Sequence, residues 1–202
     1  MIGNQGYAEE AEALFKRYES VPFGDTHRQV LHLLPAAPSL VLDIGAGTGR
    51  DAAALAAMGH NVVAVEPTAP LREGAKVLHP SPKIEWLDDG LPALALLSAR
   101  GEQFDLIMMT AVWMHLDAAQ RRQAMPVVAR LLRTGGTLIM LLRHGAVPPG
   151  RRMFEVSGAE TIQLAASEGL ALELLLEKQL GRPDQVGVLW TRLAFTKTAQ
   201  PK

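Results

Sequence analysis

Residues 41–50, VLDIGAGTGR, constrain what this chain can fold into more than any other segment. A short apolar run carrying Asp43 turns through glycines at alternate positions, Gly45, Gly47 and Gly49. The alanine-rich run that follows, DAAALAAMGH, is a good helix former. Glycine lacks a Cβ, so a strand, a glycine turn and a helix start together let backbone approach a ligand closely. The unbonded N–H groups of the helix start favour electronegative ligand atoms.

Apolar runs and helical patterns then alternate. Residues 40–44, 61–65, 83–87, 104–109 and 137–142 are short, apolar and rich in branched side chains, as buried strands are. Residues 51–58, 69–78 and 118–132 carry helical spacing between them, the last stopped by Gly135 and Gly136. Such alternation predicts right-handed crossovers and a parallel sheet covered on both faces. The ending differs. Ser157 and Glu160 have capping-box spacing and open a helix that stops near Gly169. Residues 170–179 and 186–197 form two strands around the turn-rich GRPD, an antiparallel hairpin. Before residue 40, one helix is expected over residues 8–19 and another from a cap at Asp25 or Thr26 to Leu34. The Ala-Pro stretch at residues 35–38 separates a helical flap, residues 1–38, from a main domain, residues 39–202.

Composition narrows the partners. With 20 basic and 21 acidic side chains the net charge is −1, which leaves no overall electrostatic footprint for nucleic acid or an anionic membrane. There is no cysteine, which excludes disulfides, thiolate metal sites and cysteine nucleophiles. The histidines show no metal-ligand spacing, so no metal is expected. The first twenty residues lack the pattern of a secretory signal, and no apolar run reaches the ~20 residues of a membrane helix. A soluble, cytoplasmic protein is the expectation.

Three features strengthen the glycine turn. Glu66 follows the second strand directly, where an acidic side chain reaches ribose hydroxyls in open α/β sheets. Asp88 and Asp89 follow the third strand, where a carboxylate can receive an exocyclic amine such as that of adenine. The fourth strand ends at Thr110 and Ala111, across the switch in strand order where such folds place ligands.

Through VLDIGAGTGR, VVAVEP, IEWLDDGLP, FDLIMMTAVWMHL and RLLRTGGTLIMLL, roughly residues 40–197 resemble the class I S-adenosylmethionine-dependent methyltransferases. The resemblance implies a three-layer, doubly wound α/β fold: a seven-stranded, mostly parallel sheet with a C-terminal antiparallel hairpin. It implies that Gly45, Ala46, Gly47 and Gly49 lie beneath the methionine part of S-adenosylmethionine. Asp43 would hold the turn or meet the amino group, and Glu66 would bind the ribose. Asp88 or Asp89 would bind adenine, the choice being open, and Thr110 and Ala111 would offer backbone contacts to the methionine amine.

The acceptor side is less legible. His115, just past the fourth strand, is a candidate base or a structural histidine. Trp113 could wall a pocket or pack beneath the next helix. Arg143 and His144 open the basic loop RHGAVPPGRR, which suits an anionic substrate or is simply solvated. In the flap, Tyr18, Phe23, His27 and Arg28 are the candidate pocket residues. Thr-Ala-Val-Trp at 110–113 replaces the Asn- or Asp-Pro-Pro-aromatic motif of nucleic-acid amino-methylating enzymes, so a small-molecule acceptor is expected. Two rivals stand beside it: a non-catalytic module that binds the cofactor or regulates a partner, and an NAD-dependent dehydrogenase. The dehydrogenase fingerprint needs glycine where Arg50 stands. Oligomeric state and the methylated atom are not readable at this level.

Overall fold

In the computed structural model, which describes residues 6–181 and 185–199, the main domain is a twisted sheet between two helical layers. Two helices, α1 (Ala11–Glu19) and α2 (Phe23–His27), and a 3-10 turn (Leu31–Leu33) precede it. Then β1 (Leu40–Ile44), α3 (Arg50–Ala57), β2 (Asn61–Val65), α4 (Ala69–Leu78) and β3 (Ile84–Leu87) wind in one direction. After α5 (Ala95–Arg100), β4 (Phe104–Thr110) starts the other direction, with a 3-10 turn (Trp113–His115), α6 (Ala118–Leu131) and β5 (Leu132–His144). The chain finishes with α7 (Gly158–Ser167), β6 (Leu170–Leu180) and β7 (Leu189–Lys197).

The strand order is β3-β2-β1-β4-β5-β7-β6. The first five strands are parallel, and β7 runs antiparallel between β5 and β6. The winding reverses between β1 and β4, which opens a crevice at their carboxyl ends. Both sheet faces are apolar, because covered parallel strands cannot present one face to water. Leu42, Ile44, Val63, Val65, Ile107 and Met109 point to the side of α5, α6 and α7. Their neighbours Val41, Val62, Ala64, Leu106 and Met108 point to the side of α3 and the N-terminal elements. Each such aliphatic burial stabilises by roughly 1.5–3 kcal/mol, and the sheet, so anchored, holds the crevice rigid.

Four local expectations are corrected. Asp25 and Thr26 do not cap a long second helix. They lie inside the short α2, and the chain then breaks into the 3-10 turn at Leu31–Leu33. Residues 90–103 hold a helix, α5, where none is expected; the Asp89 carboxylate accepts the N–H of Leu97 at its start. Gly135 and Gly136 do not stop α6, which gives way at Leu131 to β5. They belong to an irregularity in β5, where the pairing with β4 shifts register between Phe104 and Leu106. Gly135 has φ +78°, and a Cβ on Gly136 would stand 2.9 Å from the Arg133 carbonyl oxygen and 3.1 Å from that of Asp105. Lastly, only half the Ser157 capping box forms. Ser157 Oγ accepts the Glu160 N–H, but the Glu160 carboxylate turns to Arg121 at 3.0 Å. A complete box sits instead at Asp117 and Gln120. The hairpin is antiparallel as expected; of its GRPD turn, residues 182–184 lie outside the described residues.

Candidate functional site

The glycine turn is held by backbone. Gly45 and Ala46 donate to the Val65 carbonyl at 2.8 and 3.0 Å, and Gly49 closes back onto Ala46 at 2.9 Å. Gly45, Gly47 and Gly49 all have positive φ. Their surroundings differ. A Cβ on Gly45 would strike Val112 Cγ2 at 2.5 Å, and one on Gly49 would meet the Trp86 ring at 2.9 Å. Around Gly47 the nearest atom is the Gly45 carbonyl oxygen at 3.9 Å, so this glycine borders open space.

Three acidic residues face that turn. Asp43 is buried at the end of β1; the backbone of Ala52 bonds its carboxyl, and its Oδ2 has no partner among the described residues. Burial, with Asp51 beside it, pushes the Asp43 carboxyl well up. Glu66 accepts the N–H of Gly47 at 2.9 Å and that of Thr68 at 2.7 Å, so it pins the loop to β2. Burial raises its carboxyl although those bonds and Arg72 oppose the shift. Arg72 on α4 donates to the Glu66 carbonyl at 2.7 Å and to Asp88 at 3.1 Å. Sequence patterns do not single out Arg72, whose partners come from two other elements.

The two aspartates after β3 separate clearly. The Asp88 side chain is 62% exposed, at the crevice edge beside Arg72. Asp89 is 6% exposed, and its carboxylate takes the N–H groups of Gly90 (2.8 Å) and Leu97 (3.0 Å). Asp89 is therefore committed to holding α5. We expect Asp89→Ala to lower stability by about 1–3 kcal/mol, the cost of orphaning buried donors, in chemical denaturation. Asp88→Ala should cost less, about 1 kcal/mol or below, because the partner removed is the solvent-facing one and Arg72 keeps its bond to the Glu66 carbonyl.

Beneath the turn lies a buried polar cluster. Asp51, in the first turn of α3, accepts from His27 Nε2 (2.7 Å), Arg50 Nε (2.7 Å) and the Thr110 hydroxyl (2.9 Å). Burial alone would raise its carboxyl, but His27 and Arg50 hold it below the usual carboxylate range. His27 is fully buried and Phe23 nearly so, their rings 4.5 Å apart. Neither lines a pocket, contrary to expectation: both fasten α2 to the sheet. Arg28 is exposed at the end of α2. Thr110 uses its hydroxyl on Asp51, and Ala111, at φ +58°, spends its N–H on the Leu141 carbonyl.

Helix α1 lies over the crevice. Phe15 packs on Gly74 of α4, Glu19 accepts the Thr48 hydroxyl and lies 3.2 Å from His79 Nε2, and the Tyr18 carbonyl accepts from Arg50. Ahead of α1, Tyr7 reaches the other end of the crevice, where its hydroxyl is 3.0 Å from His115 Nε2 and interacts with that of Tyr18. His115 Nδ1 is 2.9 Å from the Arg152 carbonyl, which can only accept. The imidazole therefore carries its proton on Nδ1, and Tyr7 donates to Nε2. Arg151 stacks 3.6 Å above the Tyr7 ring and pairs with Glu10 at 2.6 Å. Three separate segments meet here, and Tyr7 carries no local motif that marks it.

Trp113 is corrected too: 1% exposed, it packs in the core of the α6 face and walls no pocket. His144 bonds Thr191 at 2.8 Å and the Val156 backbone, away from His115. Arg143 does face the junction, close to Tyr7, Tyr18 and Arg17.

Burial, then Arg151 and Arg143, push the His115 imidazole below its ordinary value, while the Arg152 carbonyl works against them. The folded state thus takes up this proton at lower pH than the unfolded chain. The stability it contributes is present above about pH 6.5 and lost as pH falls below it. A protonated His115 also cannot accept from Tyr7. We expect hydrogen exchange of residues 6–10 to rise on acidification through this range, and Tyr7→Phe to remove that pH dependence.

Two features of the turn suit a ligand that carries an amine. Asp43 Oδ2 is an unpartnered buried acceptor for an amine, and Gly47 borders space a Cβ would fill. The reversal point, glycine cradle and acid after β2 define a class I methyltransferase domain. Comparison agrees: the family model for a methyltransferase domain matches residues 41–136. Residues 41–136 thus match a methyltransferase domain, and the fold around them is the one that S-adenosylmethionine-dependent methyltransferases of known structure share.

Among curated relatives, an uncharacterized methyltransferase of Mycobacterium tuberculosis is 34% identical over 113 residues, 52% of this chain and 40% of the relative. Demethylmenaquinone methyltransferase of Clavibacter sepedonicus is 28% identical over 167 residues, 79% of this chain and 66% of the relative. The chain thus spans about two fifths of the mycobacterial relatives it matches. Among solved structures, a TehB-like methyltransferase of Corynebacterium glutamicum superposes with TM-score 0.69 at 23% identity, covering 94% of this chain and 99% of that one. The 1,6-didemethyltoxoflavin-N1-methyltransferase of Burkholderia thailandensis, holding its substrate and S-adenosylhomocysteine, gives TM-score 0.72 at 20% identity over 96% of this chain and 86% of that one. At these identities the structures establish the shared fold. No helix among the described residues is long and apolar enough to cross a membrane, and no cluster of metal-ligating side chains occurs among them.

Proposed function

We propose that this chain is an S-adenosylmethionine-dependent methyltransferase that transfers the methyl group in line to a small-molecule acceptor. The observation that carries the reading is the unpartnered Asp43 Oδ2 beside the open face of Gly47, with Glu66 bridging the turn to β2. In this reading Asp43 receives the amino group, the glycine turn underlies the methionine moiety and Glu66 holds the ribose. Asp88 reads the adenine amine, because Asp89 is occupied by α5.

The bound cofactor supplies the activated methyl group, so the chain's own task is alignment and exclusion of water. Helix α1 and the Tyr7 segment cover the crevice and serve the second purpose. His115, uncharged and with Nε2 facing the Tyr7 hydroxyl, is the candidate proton acceptor for a protonated nucleophile. A small acceptor is supported by the balanced charge and by this closed cover, which a nucleic-acid strand would have to displace. The Burkholderia enzyme's bound toxoflavin precursor points the same way.

Calorimetric titration with S-adenosylhomocysteine, with NAD in parallel, tests the reading. Micromolar binding of the first alone is expected; no binding, or a preference for NAD, overturns it. Glu66→Ala should weaken binding by about 1–3 kcal/mol through unpaired hydrogen-bonding groups, and Asp88→Ala should weaken it with little change in melting temperature. His115→Ala should abolish turnover of an acceptor while S-adenosylhomocysteine affinity persists.

A further inference from the structure

Arg143, near the end of β5, stands part-buried with no carboxylate partner among the described residues. Its one hydrogen-bond contact is weak, from Nη1 to the Met153 thioether sulfur at 3.8 Å. Other enclosed guanidiniums have a carboxylate partner. Arg50 is paired with Asp51, Arg72 with Asp88, Arg121 with Glu160 and Arg151 with Glu10. Arg192 and Arg152 are also part-buried with no carboxylate among the described residues; Arg192 reaches the Thr26 carbonyl under α2, and Arg152 lies over the Phe154 ring.

The groups around Arg143 supply no counter-ion. Arg17, a second cation on the lid helix, and the phenols of Tyr7 and Tyr18 lie within electrostatic reach of it. Arg17 too has no carboxylate partner among the described residues. The carboxylates of the neighbourhood are taken: Glu10 by Arg151, Glu19 by Thr48 and His79, and Glu66 by two backbone amides. Contacts of Phe15, Tyr18 and Glu19 seat α1 on the crevice, so Arg17 is carried over Arg143 by the lid. Two guanidiniums held near each other with no negative charge between them repel, and partial burial adds a desolvation cost. A carboxylate or phosphate entering there removes both penalties and gains charge-assisted hydrogen bonds.

We propose that the acceptor is an anion, its carboxylate or phosphate held by Arg143 with Arg17 of the lid helix closing over it. The inference rests on the small-molecule methyltransferase reading and adds the class of acceptor. The hydroxyls of Tyr7 and Tyr18 line the same junction, so an anion seated on Arg143 brings the rest of its molecule towards the Tyr7–His115 pair.

The test is NMR titration of the full chain with benzoate, phenyl phosphate and neutral benzamide, each with and without S-adenosylhomocysteine. At least one anion is expected to bind about tenfold or more tighter than benzamide, equivalent to ~1.4 kcal/mol. Preference for benzoate identifies a carboxylate acceptor, and preference for phenyl phosphate a phosphate. Arg143→Gln should erase the discrimination while melting temperature does not fall and S-adenosylhomocysteine affinity stays unchanged. Arg143→Lys should keep part of it, since the charge remains without the guanidinium fork. Equal binding of benzamide, no binding of either anion, or a preference that survives Arg143→Gln overturns the proposal. Failure of S-adenosylhomocysteine to bind strikes the cofactor assignment alone, because anion discrimination is read on the chain itself.

Discussion

Gly47→Val will remain folded and lose S-adenosylhomocysteine binding. A Cβ at this position meets no heavy atom closer than the Gly45 carbonyl oxygen at 3.9 Å, so the substitution adds bulk on the open side of the turn, where the cofactor is proposed to lie. Its cost to the fold is mainly conformational. Gly47 has φ +58°, and an L-residue held there loses about 1–2 kcal/mol, a part of the ~5–15 kcal/mol by which domains are stable. Gly45 is the control. A Cβ there collides with Val112 Cγ2 at 2.5 Å, so Gly45→Ala should lower the melting temperature through the protein's own packing. Calorimetry beside thermal melts separates the two: undiminished affinity in a folded Gly47→Val chain would show that the cofactor does not lie on this turn.

The second large effect is on stability. His27→Ala is expected to cost about 3–5 kcal/mol, the range for truncating a large buried ring, with a lost hydrogen bond to a carboxylate added to it. His27 is fully buried against Asp51 and stacked on Phe23, so truncation leaves both a void and a carboxylate with one fewer donor. Because the Asp51 carboxyl is held low in the folded state, its stabilisation is present above the ordinary aspartate value and lost only as pH falls through the depressed one. A loss below about 1 kcal/mol in urea denaturation, the scale of an exposed pair, would mean that the clasp is not what fastens α2.

Residues thought to touch substrate and residues that hold the fold look alike in sequence. Of the sizeable side chains expected to line a pocket, Phe23, His27 and Trp113 turn inward. Their burial is decided by which sheet face each element packs against, and a linear pattern carries no record of that. Asp88 and Asp89 differ by one position along the chain, yet α5 claims one and leaves the other at the crevice edge. That helix escapes notice because its six residues are too few for helical periodicity to stand out. Gly135 and Gly136 mislead for a related reason: glycine ends helices and also permits strand irregularities, and only the neighbouring Asp105 carbonyl says which applies.

What could be read from order and composition was the architecture and the cofactor cradle. Both rest on short-range signals: apolar runs of strand length, helices between them, and a glycine turn with acids at the following strand ends. Backbone conformation is local, so local pattern suffices for it. The acceptor junction is different in kind. Tyr7 and His115 are 108 residues apart, and Arg151 and Glu10 are 141 apart. Partnerships of that separation exist only once the lid, the turn after β4 and the loop after β5 have packed together. The tertiary structure alone therefore decided which side chains meet at the crevice and which guanidinium among them has no carboxylate among the described residues.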